Sequence, residues 1–172
     1  MRFYKIFTAL LFSSAVLSGC FNTPEYPNTP QIEFDSIKSE PILQQHSGAY
    51  LDSINISVRY RDGDGDLGYT QAEKDSLSKL DVVNYNYLLK QFRKSGGKYV
   101  EFIPQDTYNG FYQRISPDKP GPIEGRINYN LNIFHCCYRY RNDTIRFEVQ
   151  IRDRAGNLSN TVTTDSVVVN WL

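Results

Sequence analysis

Methionine and tryptophan occur once each, histidine twice and cysteine three times in 172 residues, and the charges cancel, with 19 Lys and Arg against 19 Asp and Glu. That balance leaves no basic field for nucleic acid, whose binding rests largely on neutralised phosphates. His46 and His135 stand apart, so no imidazole pair has zinc-helix spacing, and neither a Ser-His-Asp order nor a phosphate loop appears. The adjacent Cys136 and Cys137 could close only a strained disulfide ring, and on a strand they would point to opposite faces. With His135 they lack the separated ligand pairs that zinc sites use. No nucleophile, and no paired acid and base, can be named, so the reading is of a protein that is not an enzyme. The chain also lacks any apolar run near the roughly 20 residues that a membrane-spanning helix needs.

Its longest apolar run, Ile6 to Leu17, follows the basic Arg2 and Lys5 and leads into Leu17-Ser18-Gly19-Cys20. Basic start, short apolar stretch and small residues are the three parts of a secretory signal. The LSGC order resembles the lipobox of the bacterial lipoprotein family. The resemblance implies cleavage before Cys20, a diacylglycerol thioether on its sulfur and a further acyl chain on its new amino group. It thus implies a lipid-anchored place in the cell envelope, at the outer membrane of a Gram-negative bacterium. Several acyl chains hold a protein firmly where one holds it marginally. Residues 1–19 are then the signal peptide, and 20–31 the lipidated Cys with a flexible, proline-rich, extended tether. Glu25 is the only charged residue of that tether, so the acidic cluster associated with surface export of lipoproteins is not present.

Residues 32–172 read as one domain. Aromatics are abundant, with 13 Tyr and 10 Phe, and together with β-branched residues they favour strands. Ser53 to Arg61 places Ile54, Ile56, Val58 and Tyr60 on one face with polar residues between, the period-two signature of a half-buried strand. Arg126 to Phe134 and Thr144 to Arg152 repeat it. Ile32 to Ile37, Val82 to Phe92, Tyr99 to Ile103 and Thr161 to Trp171 are less regular candidates. Ser95-Gly96-Gly97-Lys98 and Arg154-Ala155-Gly156-Asn157 have hairpin composition, and Thr70-Gln71-Ala72-Glu73 has capping-box form ahead of a short helix over 70–80. A long proline-containing connection fills Gln105 to Gly125. The expectation is an all-β, antiparallel two-sheet sandwich of about seven strands with one short helical insertion.

RYRDGDGDLG (Arg59 to Gly68) paired with FEVQIRDRAGNLSNTVTT (Phe147 to Thr164) is similar to uncharacterised lipoproteins of the Bacteroidetes with immunoglobulin-like or fibronectin-type-III-like domains. The resemblance implies an immunoglobulin-like sandwich used for adhesion, scaffolding or ligand presentation.

In Asp62-Gly63-Asp64-Gly65-Asp66 three carboxylates alternate with glycines, so the backbone can curl and bring hard oxygen ligands onto one calcium ion. The spacing resembles the start of an EF-hand loop, with Glu73 at its twelfth position. Leu67 stands where that loop needs glycine, and a strand precedes it, so the EF-hand fold is rejected while the ligand logic stays. A polar turn is the other reading of the same residues. Asp153, with Asn157 after it, follows the sixth strand at the same end of an immunoglobulin-like sandwich and is a further ligand candidate; an Asx-stabilised turn with Gly156 at positive φ is the other reading of Asn157. Two functions fit. One is a membrane-anchored binding or scaffolding module with a calcium-stabilised loop, partnered by another envelope protein. The other is a glycan-binding surface lipoprotein that stacks sugars on Tyr108, Phe111 and Tyr112, joined by Tyr138 and Tyr140, unless that loop folds back and buries its own aromatics.

Overall fold

The computed structural model describes residues 24–46, 48, 50–79, 84–115, 120–134 and 142–169. The strands are β1 (Gln31–Leu43), β2 (Tyr50–Asp62), β3 (Tyr87–Ser95), β4 (Lys98–Phe102), β5 (Ile123–Phe134), β6 (Asp143–Ile151), β7 (Val162–Thr163) and β8 (Val167–Val169). One helix, α1 (Gln71–Lys79), lies between β2 and β3. Its N-terminus is a capping box: Glu73 N–H donates to Thr70 Oγ1 at 3.2 Å and Thr70 N–H to Glu73 Oε2 at 2.6 Å.

Two antiparallel sheets result, ordered β1-β2-β5 and β4-β3-β6-β7, with β8 also pairing β6. The two sheets pack together as an all-β sandwich, and the chain changes sheet after β2, after β4 and after β5. The alternation seen in the sequence places the core: Ile54, Ile56 and Val58 of β2 face Ile145, Phe147, Val149 and Ile151 of β6, all fully buried. Tyr87 of β3 stacks on Tyr129 of β5 between the sheets, with ring centroids 4.1 Å apart. Gly96 and Gly97 both take positive φ, 57° and 80°, as a two-residue turn between β3 and β4 requires.

The final strand is split where one continuous strand was expected. Thr164 turns inward there: its N–H donates to Phe147 O at 2.9 Å while its hydroxyl accepts Phe147 N–H at 3.0 Å. The side chain takes a ladder position, and pairing resumes only at β8. On the same side of the sandwich, Asn160 bonds both backbone groups of Ile32, accepting its N–H at 2.8 Å and donating to its C=O at 2.9 Å. One amide thereby ties the start of β1 to the opposite sheet.

The strands give the molecule two distinct ends. The start of β1, the ends of β2 and β6 and the start of β5 share one; Gln31 pairs with Arg61, and Asp62 with Ile123. The β1–β2 and β3–β4 turns and the end of β8 share the other.

Candidate metal centre

Asp62 is the last residue of β2 and keeps that strand's inward parity, so its carboxyl is fully buried. The chain then curls, helped by Gly65 at φ 74°, and Asp62 Oδ2 accepts the N–H groups of Gly65 at 2.9 Å and Asp66 at 3.1 Å. The curl brings carboxylate oxygens of Asp62, Asp64 and Asp66 within 4.8 Å of one another. At that distance two unit charges repel by about 3 kcal/mol at an effective dielectric near 20. Burial first, then the Asp64 and Asp66 charges, push Asp62 up to about 7 against the lowering by its two N–H donors. Asp66 is also raised, by burial and then by Asp153 and Asp64.

Each aspartate keeps one oxygen, Oδ1, that is buried and takes no hydrogen bond among the described residues. Buried polar atoms are nearly always satisfied, and three such oxygens converging in one small loop could be satisfied together by one cation. The donors are all hard oxygens with a formal charge of three, a set that suits calcium and offers nothing to a soft metal. The aspartates therefore fit a calcium ion.

The structure does not bring Glu73 into this group. Its carboxylate caps α1, and the Thr70 N–H holds it below the usual range. Asp153 is buried beside the loop, yet both its oxygens are engaged, by Asn157 N–H at 2.7 Å and Asn157 Nδ2 at 2.8 Å. With Gly156 at φ 96° this is the Asx-stabilised turn. Leu67, in the slot an EF-hand reserves for glycine, is a fully buried core residue.

Four segments are fastened to the loop by partners that the acidic spacing gave no sign of. Ala155 N–H donates to Asp66 Oδ2 at 3.0 Å and Arg154 N–H to Asp66 O at 3.3 Å. Gly121 N–H reaches Asp64 O at 3.1 Å, and Ile115 N–H reaches Leu67 O at 3.3 Å. Gly63 N–H donates to Pro27 O at 2.9 Å.

The aromatic loop does not form a stacking platform among the described residues. Tyr112 is buried with its hydroxyl on Arg152 O, and Phe111 packs against Tyr85 and Tyr69. Tyr108 turns toward Phe147, and its carbonyl accepts the Tyr129 hydroxyl at 3.1 Å. The loop folds back so that Tyr112 is buried and Tyr108 and Phe111 are half-buried. Cys20, His135, Cys136, Cys137, Tyr138 and Tyr140 lie outside the described residues.

A shallow depression of about 380 Å³ on the outer face of the β2–β5 pair is lined by Arg59, Arg61 and Arg126. All three have carboxylate partners: Arg59 and Arg126 hold Asp35 at 2.8 and 3.1 Å, and Arg61 meets Glu33 at 3.3 Å. Glu124, 3.9 Å from Arg61, is the third carboxylate that balances the three guanidiniums on this face.

Among the described residues no helix is long and apolar enough to cross a membrane. Comparison with protein-family models, curated proteins and solved structures returns no match.

Proposed function

We propose that the protein is a non-catalytic envelope lipoprotein, anchored in the outer membrane through acyl chains on Cys20, whose calcium-stiffened sandwich binds or supports another envelope protein. The observation that carries the calcium reading is the trio of buried, partnerless Oδ1 atoms on Asp62, Asp64 and Asp66. A loop to which four segments are fastened suits a structural ion better than a reaction centre. Supporting the binding role, Ile42, Leu43 and Tyr50 remain 43%, 49% and 36% exposed at the β1–β2 turn, the end away from the loop. Apolar side chains grouped at a tip suit a protein partner. The inward-turned Tyr108, Phe111 and Tyr112 give the glycan reading no comparable support.

Thermal unfolding tests the calcium reading. An ion that binds only the folded state stabilises it by about 2.7 kcal/mol at a hundred times its Kd, which is about 5–10 °C in Tm for a chain of this size. Chelation should remove that increment from the wild type and leave an Asp64→Asn, Asp66→Asn variant nearly unchanged. No heat of calcium binding and no Tm shift at millimolar calcium would eliminate the ion.

A further inference from the structure

The segment before β1, residues 24–30, has no regular secondary structure, and the tether was expected to be flexible there. It is instead seated on the cation loop. Pro27 O accepts Gly63 N–H at 2.9 Å, the Tyr26 hydroxyl donates to Glu124 Oε2 at 2.7 Å, and Pro30 is buried. The fit at Gly63 is close: a Cβ there would lie 2.3 Å from Tyr26 O and 2.9 Å from Asn28 Oδ1. Gly63 is also not among the residues with positive φ, so its lack of a side chain is needed for this approach rather than for its backbone conformation.

We infer that a cation held by Asp62, Asp64 and Asp66 locks residues 24–30 onto the sandwich, so that ion occupancy decides whether the link to Cys20 is docked or free. The inference rests on the calcium reading above. Gly63 lies between two of the three aspartates, and the direction of its N–H follows from the curl that draws their carboxylates together. When a cation neutralises them, that curl is held and the N–H stays aimed at Pro27 O. When the site empties, the buried like charges push apart, and the donor that holds the strap moves with them. With the strap docked, the six Cα–Cα steps from Cys20 to Tyr26 span at most about 22 Å. The loop-bearing end of the domain then faces the bilayer at that short range, and undocking lengthens the leash.

The test uses the full lipidated chain in detergent micelles, with calcium or with chelator. Its readouts are cleavage after Glu25 by a glutamyl endopeptidase, hydrogen exchange at the Gly63 amide, and calorimetry of calcium binding. Chelation should raise cleavage and exchange by about tenfold or more, since a docked strap must open locally to react. Gly63→Ala should be cleaved rapidly even with calcium present while still giving the heat of calcium binding. Tyr26→Phe, which removes only the hydroxyl donor to Glu124, should raise cleavage less and leave that heat unchanged. Calcium heat with no change in cleavage or exchange on chelation would overturn the coupling alone. Absence of calcium heat would overturn the calcium reading and the coupling with it. A Gly63→Ala chain as protected as the wild type would show that the strap does not depend on this contact, and would also overturn the inference.

Discussion

Asp62 concentrates a conflict in one side chain: it ends a strand whose parity points inward, so an ionisable group is delivered to a place built for apolar ones. Its folded-state value near 7 stands above the ordinary value of 3.8, and Asp66 is raised in the same direction. For a raised acid the stability contribution is complete below the unfolded-state value and is lost as pH rises through the folded-state value. The cation-free domain should therefore lose stability between about pH 4 and pH 7 through these groups. Saturating calcium, which binds the ionised carboxylates, should reverse that slope. Melting curves with chelator at pH 5 and pH 7.5, compared with the same pair in excess calcium, check both signs. The alternate spacing of Asp62, Asp64 and Asp66 was enough to foresee that they converge. The allegiance of Glu73 and Asp153 was legible in part: the capping-box form of residues 70–73 and the Asx turn at Asn157 stood beside the ligand role, but spacing alone could not weigh a nearby N–H or Asn side chain against an ion for the same oxygens.

Among the elements, β6 puts Ile145, Phe147, Val149 and Ile151 into the core, and Phe147 is fully buried with Tyr108 packed edge-on against it. Phe147→Ala should cost about 3–5 kcal/mol, because the lost transfer energy is joined by a cavity that the two sheets cannot close. Equilibrium denaturation with urea measures it, and a loss below 1 kcal/mol would place Phe147 outside the core. β2, β5 and β6 were readable because each has one wet face and one dry face, which writes period two directly into the residues. Two features resisted such reading. The break in the last strand depends on Thr164 bonding Phe147, a contact between residues that only the folded sheet makes neighbours. Seating of residues 24–30 depends on Gly63, whose glycine reads equally well as turn chemistry until Tyr26 is seen against it.

At the scale of the whole molecule, the loop and the N-terminal strap share one end, and Ile42, Leu43 and Tyr50 stand at the other. In the proposed arrangement the anchor lies on the first side and the partner on the second. Cys20→Ser should move the protein from membrane to soluble fraction while leaving its melting temperature and calcium response as in the wild type. Retention at the membrane would sink the anchor. The amide of Asn160 on Ile32 bears on when this fold can exist at all. It joins groups 128 residues apart, and at about 5–20 residues per second a ribosome needs roughly 6–26 s to deliver the second after the first. Contacts so distant in sequence also slow folding itself. For that interval the start of β1 lacks its partner in the opposite sheet. The tie between the start of β1 and the opposite sheet can therefore form only after nearly all of the chain has been made.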